Sequence, residues 1–191
     1  MINSDSGYSS LDALDRFDWL CRELRPYCER IALAGSLRRR KRLVKDIEMV
    51  VVPRFVSAGD SLFEGMSTEV NALDRHLAEM LESRMISKRI GQCGGTTWGT
   101  RAKFAVYEGV PVDIFSVIPP AQWGLILAIR TGPAEFSKRF MTSRLYGGLL
   151  PPGMRVSEGQ VWCAGKSIPI PEEDEWFRLL GIETPKPEDR Q

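Results

Sequence analysis

Hydrophobic residues recur along the first part of the chain at two spacings, which predict a helix followed by strands. Residues 11–24 carry apolar side chains at helical intervals, and Pro26 ends that helix. Two short apolar runs, 30–34 and 46–52, are typical of buried strands. The second run is the strongest strand signal in the chain, and Pro53 ends it.

The middle of the chain continues with one helix and three strands. Helical spacing returns over 67–83, and a short strand follows over 85–90. A loop rich in Gly and Thr leads to two further strands, 102–107 and 110–117. The dipeptide at 108–109, Glu-Gly, predicts a tight hairpin turn between them.

The last third of the chain differs in composition, since it is rich in glycine and proline. Helices are predicted over 120–129 and 133–145, with short strands over 154–156 and 160–163. A final amphipathic helix follows Pro171.

This change of composition near Pro119 divides the chain into two predicted domains. Both domains, residues 1–119 and residues 120–191, combine predicted helices with predicted strands. The predicted fold class is therefore α+β, and 191 residues are enough for two small cores.

Composition restricts the chemistry that the chain can perform. His76 is the single histidine and, on the flank of a predicted helix, is expected at the surface. The four cysteines have no zinc or redox spacing, so we expect them to be reduced core thiols. Any metal site must then consist of carboxylates, which favour a hard cation such as Mg²⁺. The polar segment 1–10 is unlike a signal peptide, and no apolar run is long enough to span a membrane. We expect a soluble protein of the cytoplasm or nucleus with no membrane partner.

The net charge of +1 hides a segregated distribution. The segments 38–45, 84–103 and 130–155 hold six, five and five of the 26 basic residues, and almost no acids. Blocks of this kind allow a basic face for nucleic acid, whereas solvated helix faces are the alternative explanation. Trp98 lies in the second block, where it either stacks on a base or packs in the core.

Three carboxylates interrupt apolar strands. Asp46 and Glu48 are two residues apart, so both side chains leave the same face of one strand, about 6.6 Å apart along it. Asp113 lies within the apolar strand 110–117. If the two strands are neighbours, the three charges converge, and a divalent cation would relieve their repulsion. The alternative is that each acid lies at a strand edge or pairs with an arginine.

A Gly-Ser turn precedes these acids. Gly35-Ser36 closes the strand 30–34, and arginines follow it immediately. Backbone amides of such a turn, a serine hydroxyl and arginine forks all bind phosphate. The order of the segments predicts a triphosphate cradle beside a cation site.

These segments resemble the nucleotidyltransferase signature of family X DNA polymerases, the polymerase beta kind. The signature is carried by LAGSLRR and VKDIEMV, at 33–39 and 44–50. Further segments that resemble the family are VPVDIF (110–115), RTGPAEF (130–136), GMRVSEG (153–159), IPIP (168–171), WFRLLG (176–181) and KPEDR (186–190).

The resemblance implies roles for particular residues. Asp46, Glu48 and Asp113 would be catalytic and would bind two Mg²⁺ ions, with Mn²⁺ as a possible substitute, and Asp113 would accept the primer proton. The implied nucleotide-binding residues are Gly35, Ser36, Arg39, Lys45, Arg130, Thr131 and Gly132. DNA contacts are expected from Arg38, Arg101, Lys103, Lys138 and Arg139.

The chain departs from the family pattern in three respects. Glu48 stands where these polymerases usually carry Asp, and Ile129-Arg130 stand where an aromatic pair is common. No lyase domain or helix-hairpin-helix DNA grip is expected, because only about 30 residues precede the Gly-Ser turn. The resemblance thus implies a minimal palm, 1–119, with a mixed β-sheet and flanking helices, and a small α/β thumb, 120–191, as in short viral members.

The predicted function is a metal-dependent DNA nucleotidyltransferase. It would add nucleotides from dNTPs to the 3′-hydroxyl of a primer in gapped or nicked duplex, release pyrophosphate and act as a monomer in repair. Two alternatives stay open: transfer to RNA, protein or a small molecule, and a non-catalytic module that binds DNA ends.

Overall fold

The computed structural model describes residues 7–57 and 69–190, which alternate between helices and strands. The helices are α1 Ser10–Leu24, α2 Gly35–Arg38, α3 Ala72–Glu82, α4 Trp123–Thr131, α5 Ala134–Met141 and α6 Glu173–Leu179. The strands are β1 Tyr8–Ser9, β2 Cys28–Leu33, β3 Leu43–Val44, β4 Ile47–Pro53, β5 Phe55–Ser57, β6 Glu69–Asn71, β7 Ile86–Lys88, β8 Ala102–Tyr107, β9 Val110–Ser116, β10 Met154–Ser157, β11 Gln160–Cys163 and β12 Lys166–Ile168. Short 3₁₀ turns cover Arg25–Tyr27, Arg144–Tyr146 and Pro187–Asp189.

The main sheet has five strands in the order β2-β4-β9-β8-β7. Strands β4 and β9 are parallel, and the other pairs are antiparallel, so the sheet is mixed. Both central strands are apolar along most of their length, as expected for strands covered on both faces. Their register places Glu48 directly opposite Asp113.

The two faces of this sheet are covered by different helices. On one face, Met49 and Ile114 pack in a core with residues of α1 and α3. On the other face, Val50 and Phe115 pack against α4 through Trp123. The even-numbered positions of β4 therefore point toward α4, and Glu48 shares that face because side chains alternate along a strand.

The C-terminal third forms a smaller unit that packs on α4. Strands β10, β11 and β12 make an antiparallel sheet, and its core contains Phe140, Val161, Trp176 and Phe177. The rings of Phe140 and Phe177 meet edge to face with centroids 5.2 Å apart. Helix α4 contributes residues to this core and to the core on the main sheet, so it joins the two.

The predicted α+β class and mixed sheet with flanking helices are confirmed, whereas several boundaries are wrong. Helix α3 begins at Ala72, because residues 69–71 pair with β5 and the Asn71 side chain accepts a hydrogen bond from the Asp74 amide. Residues 67–68 of the predicted helix, like residues 1–6, lie outside the described residues.

Other elements are shorter than predicted, and several short elements, β12 among them, were not predicted. Strand β7 ends at Lys88, helix α4 begins at Trp123 rather than Pro120, and α5 ends at Met141. Strand β12 lies in a Gly-rich segment with no apolar alternation, which left it unpredicted. No helix within 7–57 and 69–190 is both long and apolar enough to cross a bilayer.

His76 was expected at the surface, and that prediction is wrong. Its ring is buried, stacks on Tyr27 with centroids 4.0 Å apart, and lies 3.0 Å from Glu23 Oε1. The residue occurs on the inner side of α3, where its two ring nitrogens meet Glu23 and Glu79. It therefore has a packing role.

The close approach of α4 to the start of α6 requires glycine at position 124. A Cβ on Gly124 would lie 2.2 Å from the backbone oxygen of Glu172. Gly124→Ala should therefore lower the free energy of unfolding by about 1–3 kcal/mol, because the overpacked backbone has to shift. Urea denaturation measures this. Gly95→Ala is the control, because a Cβ there meets nothing within 4 Å, and it should change stability by less than about 0.5 kcal/mol.

Candidate active site

The three predicted acids lie where β4 and β9 run side by side. Glu48 on β4 and Asp113 on β9 are register partners, and Asp46 immediately precedes β4. Asp113 is buried, while Asp46 and Glu48 are half-buried. The neighbouring-strand condition of the sequence prediction is thus met, and the three carboxylates occupy one region of the sheet.

Burial and mutual repulsion disfavour the charged forms of these acids. Loss of hydration, together with the smaller effect of the nearby charges of Asp46 and Asp113, raises the pKa of Glu48 to about 7. Burial also raises the pKa of Asp46 and of Asp113, although Arg89 opposes the shift in both. In the metal-free protein, the three carboxylates therefore lack the hydration that would stabilise their negative charges.

The Gly-Ser turn lies directly against Glu48. Helix α2 starts at Gly35, whose φ of +62° falls in the left-handed region that favours glycine. A Cβ at this position would lie 1.8 Å from Glu48 Oε2, so the carboxylate occupies the space that a side chain would fill. The Ala34 amide also donates to the Glu48 carbonyl at 2.8 Å. Turn and acid are therefore fixed relative to each other.

Three arginines, Arg39, Arg89 and Arg130, lie close enough to the acids for their charges to act on Glu48 or Asp113. Arg89 Nη2 lies 2.8 Å from Asp113 Oδ1, so the alternative explanation, that an acid pairs with an arginine, holds for Asp113 in the metal-free protein. Arg39 Nη1 donates to the Thr131 carbonyl at 2.6 Å. Arg130 stacks its guanidinium over the Phe115 ring at 3.7 Å. Two predicted nucleotide-binding residues, Arg39 just after α2 and Thr131 at the end of α4, are therefore in contact.

Arg38 ties the turn to the C-terminal unit. Its guanidinium makes two hydrogen bonds to the Glu173 carboxylate, at 2.9 and 2.8 Å, and a third to Thr131 Oγ1. Glu173 also accepts from Arg190 at 2.6 Å, and Arg190 is only 1% exposed. Glu173 and Arg190 were missed by the sequence analysis, since their partners lie far away in the chain.

The remaining predicted site residues differ in how far they are exposed to solvent. Lys45, Arg101, Lys138 and Arg139 are exposed, and Ser36 and Gly132 are half-buried. Lys103, expected to contact DNA, is instead buried, with its Nζ 2.7 Å from Asp74 Oδ1 and 2.8 Å from the Gly99 carbonyl. Alternation along β8 turns this side chain inward, so its ammonium group is satisfied inside the protein.

The donor chemistry of the three acids fits a hard divalent cation. Carboxylate oxygens are the ligands that Mg²⁺ and Mn²⁺ prefer, and a cation would offset the burial and the repulsion that together raise the pKa of Glu48. Among the residues that the structure describes, no three acidic, His or Cys side chains are arranged as ligands of one ion, and Asp113 is directed at Arg89. Binding would therefore require the Asp113 side chain to leave Arg89.

A large cavity of about 690 Å³ lies along the open edge of β2 rather than over the acids. Arg30, Trp123 and Glu172 are among its lining residues, and it shares Arg38 and Glu173 with the network described above. None of the three predicted catalytic acids lines it.

The elevated pKa of Glu48 predicts a pH-dependent stability for the metal-free protein. Its pKa is about 7 when folded and about 4.3 in an unfolded chain, so the folded state is most favoured below that lower value and loses stability as pH rises toward 7. Glu48→Gln removes the buried charge. We expect this variant to be more stable than wild type by about 1–2 kcal/mol at pH 8, after allowance for partial exposure.

Thermal unfolding in EDTA at pH 8 and pH 5 measures this difference. The gap between the two proteins should shrink at pH 5, where Glu48 is protonated in the folded state. A gap that is independent of pH would contradict the assignment of the strain to the Glu48 charge.

Comparison with known proteins supplies no family for this chain. No protein-family model matches the sequence, and no curated protein matches it.

Proposed function

We propose that the protein is a metal-dependent nucleotidyltransferase that extends DNA 3′ ends, of the family X DNA polymerase kind. Residues 1–119 would act as the palm and 120–191 as the thumb. One observation carries the proposal: Glu48 and Asp113 are opposed on parallel neighbouring strands, and the Glu48 carboxylate rests on the Gly35 backbone of the Gly-Ser turn. Acid cluster and phosphate-binding turn are thus adjacent.

Asp46, Glu48 and Asp113 are the residues that would hold the metal ions. When bound, Mg²⁺ would supply activation of the primer hydroxyl and neutralisation of the triphosphate charge. In the metal-free protein, burial and repulsion raise the pKa of all three carboxyl groups, so a bound cation would stabilise their charged forms.

The turn and the arginines would bind the triphosphate. Ser36 can donate its hydroxyl, and Arg39 can fork two phosphate oxygens. Arg39 is held toward α4 by its hydrogen bond to the Thr131 carbonyl, and Arg38 is held by Glu173. These contacts support a fixed cradle in which orientation contributes to the rate.

In the reaction, the primer 3′-oxygen would attack the α-phosphorus while the bond to the bridging oxygen breaks and pyrophosphate leaves. The hydroxyl proton would pass to Asp113, whose pKa is raised by burial in the direction that a proton acceptor needs. The exposed cations Arg101, Lys138 and Arg139 favour a nucleic acid as the acceptor.

The proposal is tested by incubating the protein with gapped duplex DNA and each labelled dNTP in Mg²⁺, Mn²⁺ or EDTA. We expect primer extension that needs a metal ion and the 3′-hydroxyl. A parallel reaction without DNA tests transfer to another acceptor. Label in protein or in a small molecule, or no metal-dependent turnover alongside salt-sensitive DNA binding, would contradict the proposal.

A further inference from the structure

A short turn after α5 holds two large apolar side chains in solvent. Leu145 and Tyr146 lie in the 3₁₀ turn Arg144–Tyr146 and are 72% and 83% exposed. Met141, at the end of α5, is also exposed. We call Met141, Leu145 and Tyr146 the apolar tip.

The turn beneath the apolar tip is tightly hydrogen-bonded. The Leu149 amide donates to the Arg139 carbonyl at 2.8 Å, and the Leu150 amide donates to the Thr142 carbonyl at 3.0 Å. Gly148 packs so closely that a Cβ there would lie 1.9 Å from the Thr142 oxygen. Arg144 joins the turn to the end of α6 by donating to the Leu180 carbonyl. The backbone therefore presents Leu145 and Tyr146 outward from a fixed base.

The surface next to the apolar tip is positively charged. Lys138 and Arg139 are exposed on α5, within one helical turn of Met141. Neither has a carboxylate within 4.0 Å among the residues that the structure describes. Glu135 is the one acid of α5, and it lies at the opposite end of the helix. The tip thus combines an exposed aromatic ring with two cations that lack an acidic partner there.

We propose that the apolar tip is a stacking platform for an unpaired base of DNA, with Lys138 and Arg139 on the adjacent phosphates. Tyr146 would lie against the face of a base, and Leu145 and Met141 would cover its edge. Aromatic rings beside cations are the combination that binds single-stranded nucleic acid without reading sequence. Two basic residues so close together favour a polyanion over an uncharged protein surface.

This inference rests on the proposed function for its choice of DNA, but it concerns binding rather than chemistry. It assigns the tip to the unpaired strand beside the primer terminus, for example the template bases of a gap. The tip lies beyond α5, whose eight residues span about 12 Å from the Thr131-Gly132 turn. The apolar tip is therefore separate from the acids and should not alter the chemical step.

Fluorescence anisotropy with a labelled duplex that carries an unpaired overhang, in EDTA and without nucleotide, tests the proposal. Tyr146→Ala should weaken binding about 5- to 100-fold, whereas Tyr146→Trp should retain it. Leu145→Ala should also weaken binding. Leu11→Ala is its matched control, since Leu11 is 71% exposed on α1; it should leave affinity unchanged.

Salt dependence tests the two cations separately. A double substitution of Lys138 and Arg139 by alanine should reduce the slope of log affinity against log salt by about 1.4, as expected for two lost contacts to single-stranded phosphate. Removing Arg22 and Arg75, which are exposed on α1 and α3, should leave the slope unchanged.

Equal DNA affinity of wild type and Tyr146→Ala would overturn the inference. So would binding to vesicles of phosphatidylserine that depends on Tyr146 while DNA binding does not. Neither result touches the proposed function, because metal-dependent incorporation is measured independently with substitutions at the acids.

Discussion

Replacement of Asp46 by asparagine should lower metal-dependent nucleotide incorporation by about 10³-fold or more. The substitution keeps the shape of the side chain but removes a charge that would hold the metal ions, and metal ions contribute several kcal/mol to charge stabilisation in such transition states. Single-turnover extension of a gapped duplex measures the loss.

The fold should survive this substitution. Asp46 lies just before β4, and burial raises its pKa, so a neutral amide is tolerated there in the metal-free protein. Asp15→Asn, on the exposed side of α1, is the matched control and should retain full incorporation. If Asp46→Asn and Asp15→Asn incorporate nucleotides at the same rate, the acid cluster has no catalytic role.

Replacement of Gly35 by alanine should lower incorporation about 10²-fold and destabilise the protein by about 2–4 kcal/mol. Two effects add: the residue has a φ of +62°, and its new Cβ would come within 1.8 Å of Glu48 Oε2. The carboxylate has to move by an ångström or more, and a displacement of that size can reduce a rate 10²-fold.

Gly94→Ala separates these two effects. Gly94 has a φ of +79°, but a Cβ there meets nothing within 4 Å. This variant should share the backbone strain and keep normal incorporation. Urea denaturation and single-turnover extension on both variants give the comparison. Equal losses of incorporation would mean that the Glu48 carboxylate is not the group that Gly35 positions.

The strands that carry the acids could be predicted because their sequence pattern is local. Asp46, Glu48 and Asp113 are charges within apolar runs, which a sequence displays directly. Whether their two strands are neighbours was left open, and the structure pairs β4 with β9. The turn at Gly35 was predicted for the same reason, since a glycine after an apolar run marks a change of backbone direction.

The contacts of the arginines could not be predicted, because they join distant parts of the chain. Arg38 and Glu173 are 135 residues apart, and Arg89, just after β7, meets Asp113 of β9 across the intervening strand β8. No periodicity encodes such pairs. The burial of Lys103 was missed because its partner, Asp74, lies on α3, and only the packing of α3 on the sheet brings the two together.

Electron paramagnetic resonance can count bound Mn²⁺ ions and so tests whether Asp46, Glu48 and Asp113 form a two-metal site. The titration uses wild type and Asp46→Asn with a non-hydrolysable dNTP analogue, so it reports on the acids without requiring turnover. We expect two bound Mn²⁺ ions in wild type and a loss of at least one in the variant. Identical Mn²⁺ binding by the two proteins, or none by wild type, would contradict it.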